Sequence, residues 1–173
     1  TAAGFGSATH IYATPFTAGL LRAKQAEFAG HVRPDIHIVK PGSAFKVGPF
    51  DLEFVEVAHS IPEPQGLVIK TPEGTVYHTG DWKVDATPFI GTDTDAPRLR
   101  ALGDGGIDAL ICDSTNAMRE GRSPSETEIA AKLTEVIATG KRAVAVTIFS
   151  SNVSRIKAIA AAAEANGRSL VVA

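Results

Sequence analysis

The sequence predicts an α/β protein in which a β-rich first part is followed by a part where helices and strands alternate. Short runs of β-forming residues, separated by Gly and Pro turns, dominate residues 35–78. After residue 120 the pattern changes, and helical and strand-like segments follow one another. We therefore expect two regions, residues 1–120 and residues 121–173.

The chain begins with a predicted strand and helix. A strand is expected over His10–Ala13, and Thr14 followed by Pro15 is typical of a helix start, here of a helix that ends near Ala29. Residues 35–39 and 45–47 are predicted strands, because Gly- and Pro-containing turns set them apart.

A three-stranded antiparallel meander is predicted next. Residues 51–58, 66–70 and 75–78 are rich in β-forming side chains and are separated by turns. A short helix is expected over residues 95–102. The apolar run 107–112 has the composition of a buried strand.

The second region starts with a strong helix signal. Ser125 and Glu128 have the spacing of a capping box, and the helix should end near Thr139. Residues 143–149 predict a strand, Asn152 begins another helix, and residues 169–173 begin a further strand. Because strands and helices alternate, these strands should be parallel.

Composition excludes several classes of protein. Of the 173 residues, 44% are hydrophobic and 21% are charged, which is typical of a folded globular protein. A net charge of -2 provides no overall attraction to nucleic acid. The single cysteine, Cys112, excludes a Cys-rich zinc site and is interpreted as a core residue. No segment has the length and apolarity of a membrane span, so we expect a cytoplasmic protein without a membrane partner.

Chemistry is predicted at one edge of the meander. Its first and third strands run in the same direction, so residues that follow them emerge at the same edge of the sheet. His59 and Asp81 are those residues, and a ring nitrogen beside a carboxylate suits zinc or manganese. Spacing alone leaves the alternative open that His59 caps its loop and Asp81 is an ordinary turn aspartate.

Several ordered segments then resemble the ribonuclease J family. They are Tyr12 to Leu20 (YATPFTAGL), His59 to Glu63 (HSIPE), His78 to Lys83 (HTGDWK), Asp113 to Asn116 (DSTN), Ser123 to Glu126 (SPSE) and Phe149 to Asn152 (FSSN). Such a series in one order is much harder to obtain by chance than a single motif. The resemblance implies part of a metallo-β-lactamase αββα sandwich in residues 1–120 and the beginning of a β-CASP domain in residues 121–173.

The resemblance also implies roles for individual residues. His59 and Asp81 match metal ligands, whereas His78 matches a structural histidine. Asp113 matches a catalytic-site carboxylate that orients a histidine supplied later in the family's sequence. A last group matches a segment that contacts the RNA backbone at a helix N-terminus: Ser151, Asn152 and Val153.

The resemblance implies metal-dependent hydrolysis of RNA, by a 5′-to-3′ exonuclease that also has endonuclease capability. It further implies that the full-length protein is a homo-oligomer and binds two divalent ions, zinc or manganese. The family's His-x-His-x-Asp-His cluster does not occur, and His10, His31 and His37 lie in contexts that do not replace it. We therefore expect an internal fragment. Two alternatives remain: another metallo-β-lactamase-fold hydrolase acting on a small ester or thioester, and an inactive scaffold fragment.

Overall fold

The computed structural model describes residues 9–27 and 34–172, which form two β-sheets and four helices. Strand β1 (His10–Ala13) pairs in parallel with β2 (Asp35–Ile38), and helix α1 (Pro15–Glu27) lies between them in sequence. The predicted continuation of α1 to Ala29 lies outside the described residues.

The larger sheet has five strands in the order β3-β4-β5-β6-β7. They are β3 (Ala44–Val47), β4 (Phe50–Glu56), β5 (Gln65–Thr71), β6 (Gly74–His78) and β7 (Ala109–Ile111). Strands β3 to β6 are antiparallel to their neighbours, which confirms the meander, and β7 is parallel to β6. Strands β4, β6 and β7 therefore run in the same direction, and their C-terminal ends lie at one edge.

Helix α2 (Ala96–Gly105) contributes to a core on one face of this sheet. Leu102 is buried together with Val55, Val68 and Tyr77, which come from β4, β5 and β6. The ring of Tyr77 lies over Gly66, where a Cβ would stand only 2.7 Å from Tyr77 Cε2. Glycine is thus required here to make room for the aromatic ring.

A row of aromatic rings joins the two sheets. His37 of β2 stacks on Tyr12 of β1 with ring centroids 4.7 Å apart, and Tyr12 stacks on Phe45 of β3 at 5.7 Å. Phe45 then meets Phe54 of β4 edge to face at 5.1 Å. Such ring pairs have defined geometries, so the row fixes the side chains of the small sheet against the large one.

The second region consists of helices α3 (Glu126–Thr139) and α4 (Val153–Ala165), which pack on each other. The capping box at Ser125 and Glu128 is confirmed, because each side chain bonds the backbone N–H of the other residue. Ala158, Ala162 and Ala163 of α4 are buried, as close helix packing requires.

The structure differs from the sequence prediction at three predicted strands. Residues 143–149 and 169–172 form no strand, and no described segment pairs with them. A strand needs a neighbour for its backbone hydrogen bonds, and β-forming composition alone does not supply one. The run 107–112 was predicted to be buried, but β7 is exposed, with Leu110 at 62%, because it is the edge strand of the described sheet.

Candidate functional site

Three strand ends bring His59, Asp81 and Asp113 to the same edge of the five-stranded sheet. Beyond β4 and β6 the chain continues to pair, since Lys83 N–H donates to Ala58 O at 2.9 Å. Beyond β6 and β7, Thr79 N–H donates to Ile111 O at 2.9 Å, and Asp113 N–H donates to Thr79 Oγ1 at 3.0 Å. Backbone pairing therefore places the three predicted residues on adjacent segments.

The carboxylate of Asp113 is held in place and kept ionised. The Thr115 hydroxyl donates to Asp113 Oδ1 at 2.6 Å, and Thr115 N–H donates to the same oxygen at 3.0 Å. These two bonds lower the pKa of Asp113 most; partial burial opposes them, and the N–H of Trp82 and the nearby charge of His59 lower the pKa further. A fixed anion of this kind can orient a neighbouring imidazole.

The loop that carries His59 is anchored at both ends. His59 Nδ1 lies 3.1 Å from Ser60 Oγ. Glu63 Oε2 accepts from Phe16 N–H at 2.7 Å, at the start of α1, and Ser60 O accepts from Ser154 N–H at 3.0 Å, in the first turn of α4. The loop is thus fixed between the N-termini of two helices.

The two remaining residues of this edge differ in role. His78 Nδ1 accepts from Gly80 N–H at 2.9 Å, so its ring supports the turn, as expected for a structural histidine. Gly80 has a φ of +63°, a conformation that favours glycine, and Asp81 follows it with an exposed side chain. Asp81 is therefore free to meet a ligand from solvent.

The donor types at this edge fit a divalent ion, but their number is small. An imidazole and carboxylates suit zinc or manganese. In the described part of the chain, however, the one group of three potential ligands within 4.8 Å of one another is His10, Asp35 and His37, and it does not include His59 or Asp81. The sequence places His10 and His37 on separate predicted strands, and their proximity appears only when those strands pair.

The RNA-contact segment predicted at Ser151, Asn152 and Val153 begins helix α4. Asn152 is its N-cap, since Asn152 Oδ1 accepts from Arg155 N–H at 2.8 Å. Its backbone donors are already in use, because the N–H groups of Asn152, Val153 and Ser154 donate to backbone oxygens. The segment nevertheless lies beside the His59 loop through the Ser154–Ser60 hydrogen bond.

A cavity of about 870 Å³ opens beside Asp113. Its lining includes Trp82, Cys112, Asn116 and Arg122. Cys112 is exposed, so its interpretation as a core residue is wrong; the strand that it follows has no covering layer in the described structure.

A buried ionic cluster next to this cavity joins the two predicted regions. Lys83 Nζ lies 3.0 Å from Asp85 Oδ2 and 2.9 Å from Glu126 Oε1, and Arg155 approaches Glu126 at 3.3 Å. Glu126 N–H also donates to Asp85 Oδ2 at 2.9 Å. Sequence reasoning missed this cluster, because its members are far apart in the chain and no local pattern marks them.

Proteins with similar sequences include several that are named ribonuclease J or J2. The chain is 52% identical over 162 residues to ribonuclease J of Sinorhizobium meliloti, 44% identical over 168 residues to ribonuclease J of Corynebacterium glutamicum, and 32% identical over 163 residues to ribonuclease J2 of Bacillus subtilis. These alignments include 94%, 93% and 94% of the chain but only 29%, 23% and 29% of the relatives. The chain thus spans less than a third of their length.

Other comparisons add less. No protein-family model matches the chain. A crystal structure of an Enterococcus faecalis protein of unknown function aligns with a TM-score of 0.61 at 17% identity, covering 87% of this chain and 38% of that one, which supports a shared fold. The helices in residues 9–27 and 34–172 include none that could span a lipid bilayer.

Proposed function

We propose that this chain, which is homologous to part of ribonuclease J, belongs to a metal-dependent enzyme that hydrolyses RNA phosphodiesters. The observation that carries the proposal is the position of His59, Asp81 and Asp113 on adjacent segments at one edge of the five-stranded sheet, in a chain 52% identical to a ribonuclease J over 162 residues. The same proposal includes four finer assignments: 5′-to-3′ exonuclease action with endonuclease capability, zinc or manganese as the metal, a cytoplasmic location, and a homo-oligomeric full-length protein.

Each residue has a chemical role in this proposal. His59 would hold a metal ion through a ring nitrogen, and Asp81 would hold it through its carboxylate. Held by these residues, two such ions would lower the pKa of water towards about 7 and so make a nucleophile available at neutral pH. Asp113 is a positioning residue, whose ionised carboxylate would orient a histidine that protonates the leaving oxygen.

RNA binding is assigned to the segment at the start of α4. Ser151 is exposed, and the N-terminus of a helix favours a phosphate through its dipole. Because the N–H groups of Asn152 and Val153 already have backbone acceptors, the dipole and the Ser151 side chain would provide most of the attraction. The hydrogen bond from Ser154 to Ser60 keeps this segment next to the His59 loop.

The test is RNA hydrolysis by the full-length protein that contains this chain, supplied with zinc or manganese and a 5′-monophosphorylated RNA. We expect hydrolysis that Asp81→Asn slows by about 100-fold or more, because a metal ligand is weakened. Asp93→Asn is the matched control, since Asp93 is exposed. Mononucleotides released from the 5′ end would identify exonuclease action, and internal fragments would identify endonuclease action.

Three outcomes would contradict the proposal. If wild-type protein leaves RNA intact with either metal but cleaves a small ester or thioester, the enzyme is a different hydrolase of this fold. If Asp81→Asn hydrolyses RNA as fast as wild type, the assigned edge is not the metal site. A wild-type protein that cleaves neither substrate with either metal would support an inactive scaffold.

A further inference from the structure

The second group of potential metal ligands lies on the two-stranded sheet. His10 Nδ1 and His37 Nε2 are 2.9 Å apart, and Asp35 Oδ2 lies 3.4 Å from the first and 3.1 Å from the second. All three side chains reach solvent, with exposures of 59%, 39% and 60% for His10, His37 and Asp35. The group shares no residue with the edge that carries His59 and Asp81.

The pairing of β1 and β2 explains why these side chains meet. In the parallel register His10 lies opposite Asp35, and Tyr12 lies opposite His37. Residues two apart in a strand point to the same face, so Asp35 and His37 share a face of β2. The backbone of two strands, rather than a flexible loop, therefore positions the group.

A neighbouring aromatic ring fixes one of the ligands. The His37 ring stacks on Tyr12 with an interplanar angle of 16°, and Tyr12 stacks in turn on Phe45 of the larger sheet. A ring held on one face has few rotamers left, so little entropy is lost when it binds an ion. His37 is thus oriented before any ligand arrives.

The distances suit a small tetrahedral ion. Zinc bonds of about 2.0–2.1 Å at tetrahedral angles place ligand atoms about 3.3–3.4 Å apart. The observed separations of 2.9, 3.1 and 3.4 Å form a triangle close to one face of that tetrahedron. An ion just above the triangle would reach all three atoms and keep its fourth position for water.

The ligand types also select among metals. Two imidazole nitrogens and one carboxylate favour zinc and its transition-metal neighbours over magnesium and calcium, which prefer oxygen ligands. Without a metal, the contact between the two ring nitrogens at 2.9 Å requires a proton on one of them. When zinc binds, that proton would move to the other nitrogen of the same ring, so that both imidazoles act as neutral ligands. The carboxylate of Asp35 would neutralise part of the charge of the ion.

We propose that His10, Asp35 and His37 form a zinc site that cross-links β1 and β2 and is separate from the proposed catalytic edge. Zinc bound here would join residues on either side of α1 and stabilise the small sheet. Because the site is exposed and offers three ligands, its affinity should be moderate, with a Kd near micromolar.

The experiment is zinc titration of the chain in competition with a chromophoric chelator, together with thermal unfolding. Three proteins are compared: wild type, a His10→Gln/His37→Gln variant, and a His59→Gln/Asp81→Asn variant. We expect wild type and the His59/Asp81 variant to bind one zinc ion at this site with a Kd within threefold of each other. The His10/His37 variant should lose that ion or bind it at least tenfold more weakly, and zinc should no longer raise its Tm.

Two further measurements distinguish a lost zinc ligand from a variant that fails to fold. Asp35→Asn keeps both histidines and should weaken zinc binding about tenfold, because it removes the one anionic ligand. Nitrogen chemical shifts of the imidazoles report directly on His10 Nδ1 and His37 Nε2, which should both move on adding zinc, while magnesium should move neither. Zinc bound equally well by the His10/His37 variant, or lost only in the His59/Asp81 variant, would overturn the proposal. Unmoved imidazole nitrogens in wild type would overturn it as well.

Because the proposal concerns other residues, its failure is distinguishable from that of the ribonuclease proposal. If His10, Asp35 and His37 bind no zinc, the effect of Asp81→Asn on RNA hydrolysis is unchanged. Conversely, an absence of RNA hydrolysis leaves the zinc titration of His10, Asp35 and His37 unaffected.

Discussion

Replacing Asp85 by asparagine tests whether the buried ionic cluster holds the two regions together. The Asp85 side chain has 0% exposure. Its Oδ2 accepts from Lys83 Nζ at 3.0 Å and from Glu126 N–H at 2.9 Å, and its Oδ1 accepts from Thr87 N–H at 3.0 Å. Asparagine has nearly the same shape but offers one acceptor oxygen in place of two, and it lacks the charge.

The size of the effect follows from these contacts. A hydrogen bond to a charged group contributes about 1.5–3 kcal/mol, and a buried donor left without a partner costs about 1–3 kcal/mol. Whichever way the introduced amide is turned, its NH₂ group faces N–H donors, and Lys83 keeps only Glu126 as an anionic partner. We therefore expect Asp85→Asn to lower the free energy of unfolding by about 3–5 kcal/mol.

Urea unfolding followed by fluorescence measures this change. The single tryptophan, Trp82, is close to Lys83 in sequence and reports on the cluster. With an m-value of about 2 kcal/mol/M, the midpoint should fall by roughly 1.5–2.5 M. Asp93→Asn, at an exposed position, should change the free energy of unfolding by less than about 0.5 kcal/mol. An Asp85→Asn midpoint as close to wild type as that of the control would refute the reasoning.

Two further predictions concern the five-stranded sheet. Gly66→Ala should destabilise the protein by about 2–4 kcal/mol, because the new Cβ meets the Tyr77 ring. Gly103→Ala is the control: a Cβ there has no neighbour within 4 Å, so the change should be neutral or stabilise the protein by up to about 1 kcal/mol. Chemical denaturation measures both free energies of unfolding, and equal effects would contradict the packing argument. The hydrogen bonds from Arg98 to Glu53, at 2.5 and 2.7 Å, lower the pKa of Glu53 below its ordinary value of 4.5, although burial opposes them. The stability from this pair is therefore present above about pH 4.5 and is lost as the pH falls through the lowered pKa. In Glu53→Gln, the free energy of unfolding should fall less steeply with decreasing pH below about 4.5 than in wild type. An equally steep fall in both proteins would contradict this prediction.

Local signals explain which elements could be predicted from the sequence. The capping box of Ser125 and Glu128 lies within four residues, and the strands of the meander are joined by short turns. Such features depend on neighbouring residues, so single-sequence patterns contain them. The strand predicted over residues 143–149 required a distant partner, and its composition could not provide one.

The candidate site was predictable only where strand direction determines it. His59 and Asp81 share an edge because β4 and β6 run the same way, which the meander already implied. The meeting of His10 with His37 depends on the pairing of β1 with β2 across helix α1, which the local sequence of neither strand predicts. The Lys83–Glu126 contact likewise joins residues 43 positions apart.

The separation of that contact has a consequence for the order in which the chain folds. Strands β3 to β6 pair with sequence neighbours, so closing their turns costs little chain entropy. Bringing Glu126 to Lys83 closes a loop of 43 residues, and it yields a favourable contact only once the sheet has positioned Lys83. We expect the sheet to form first and helices α3 and α4 to dock in a later, slower step.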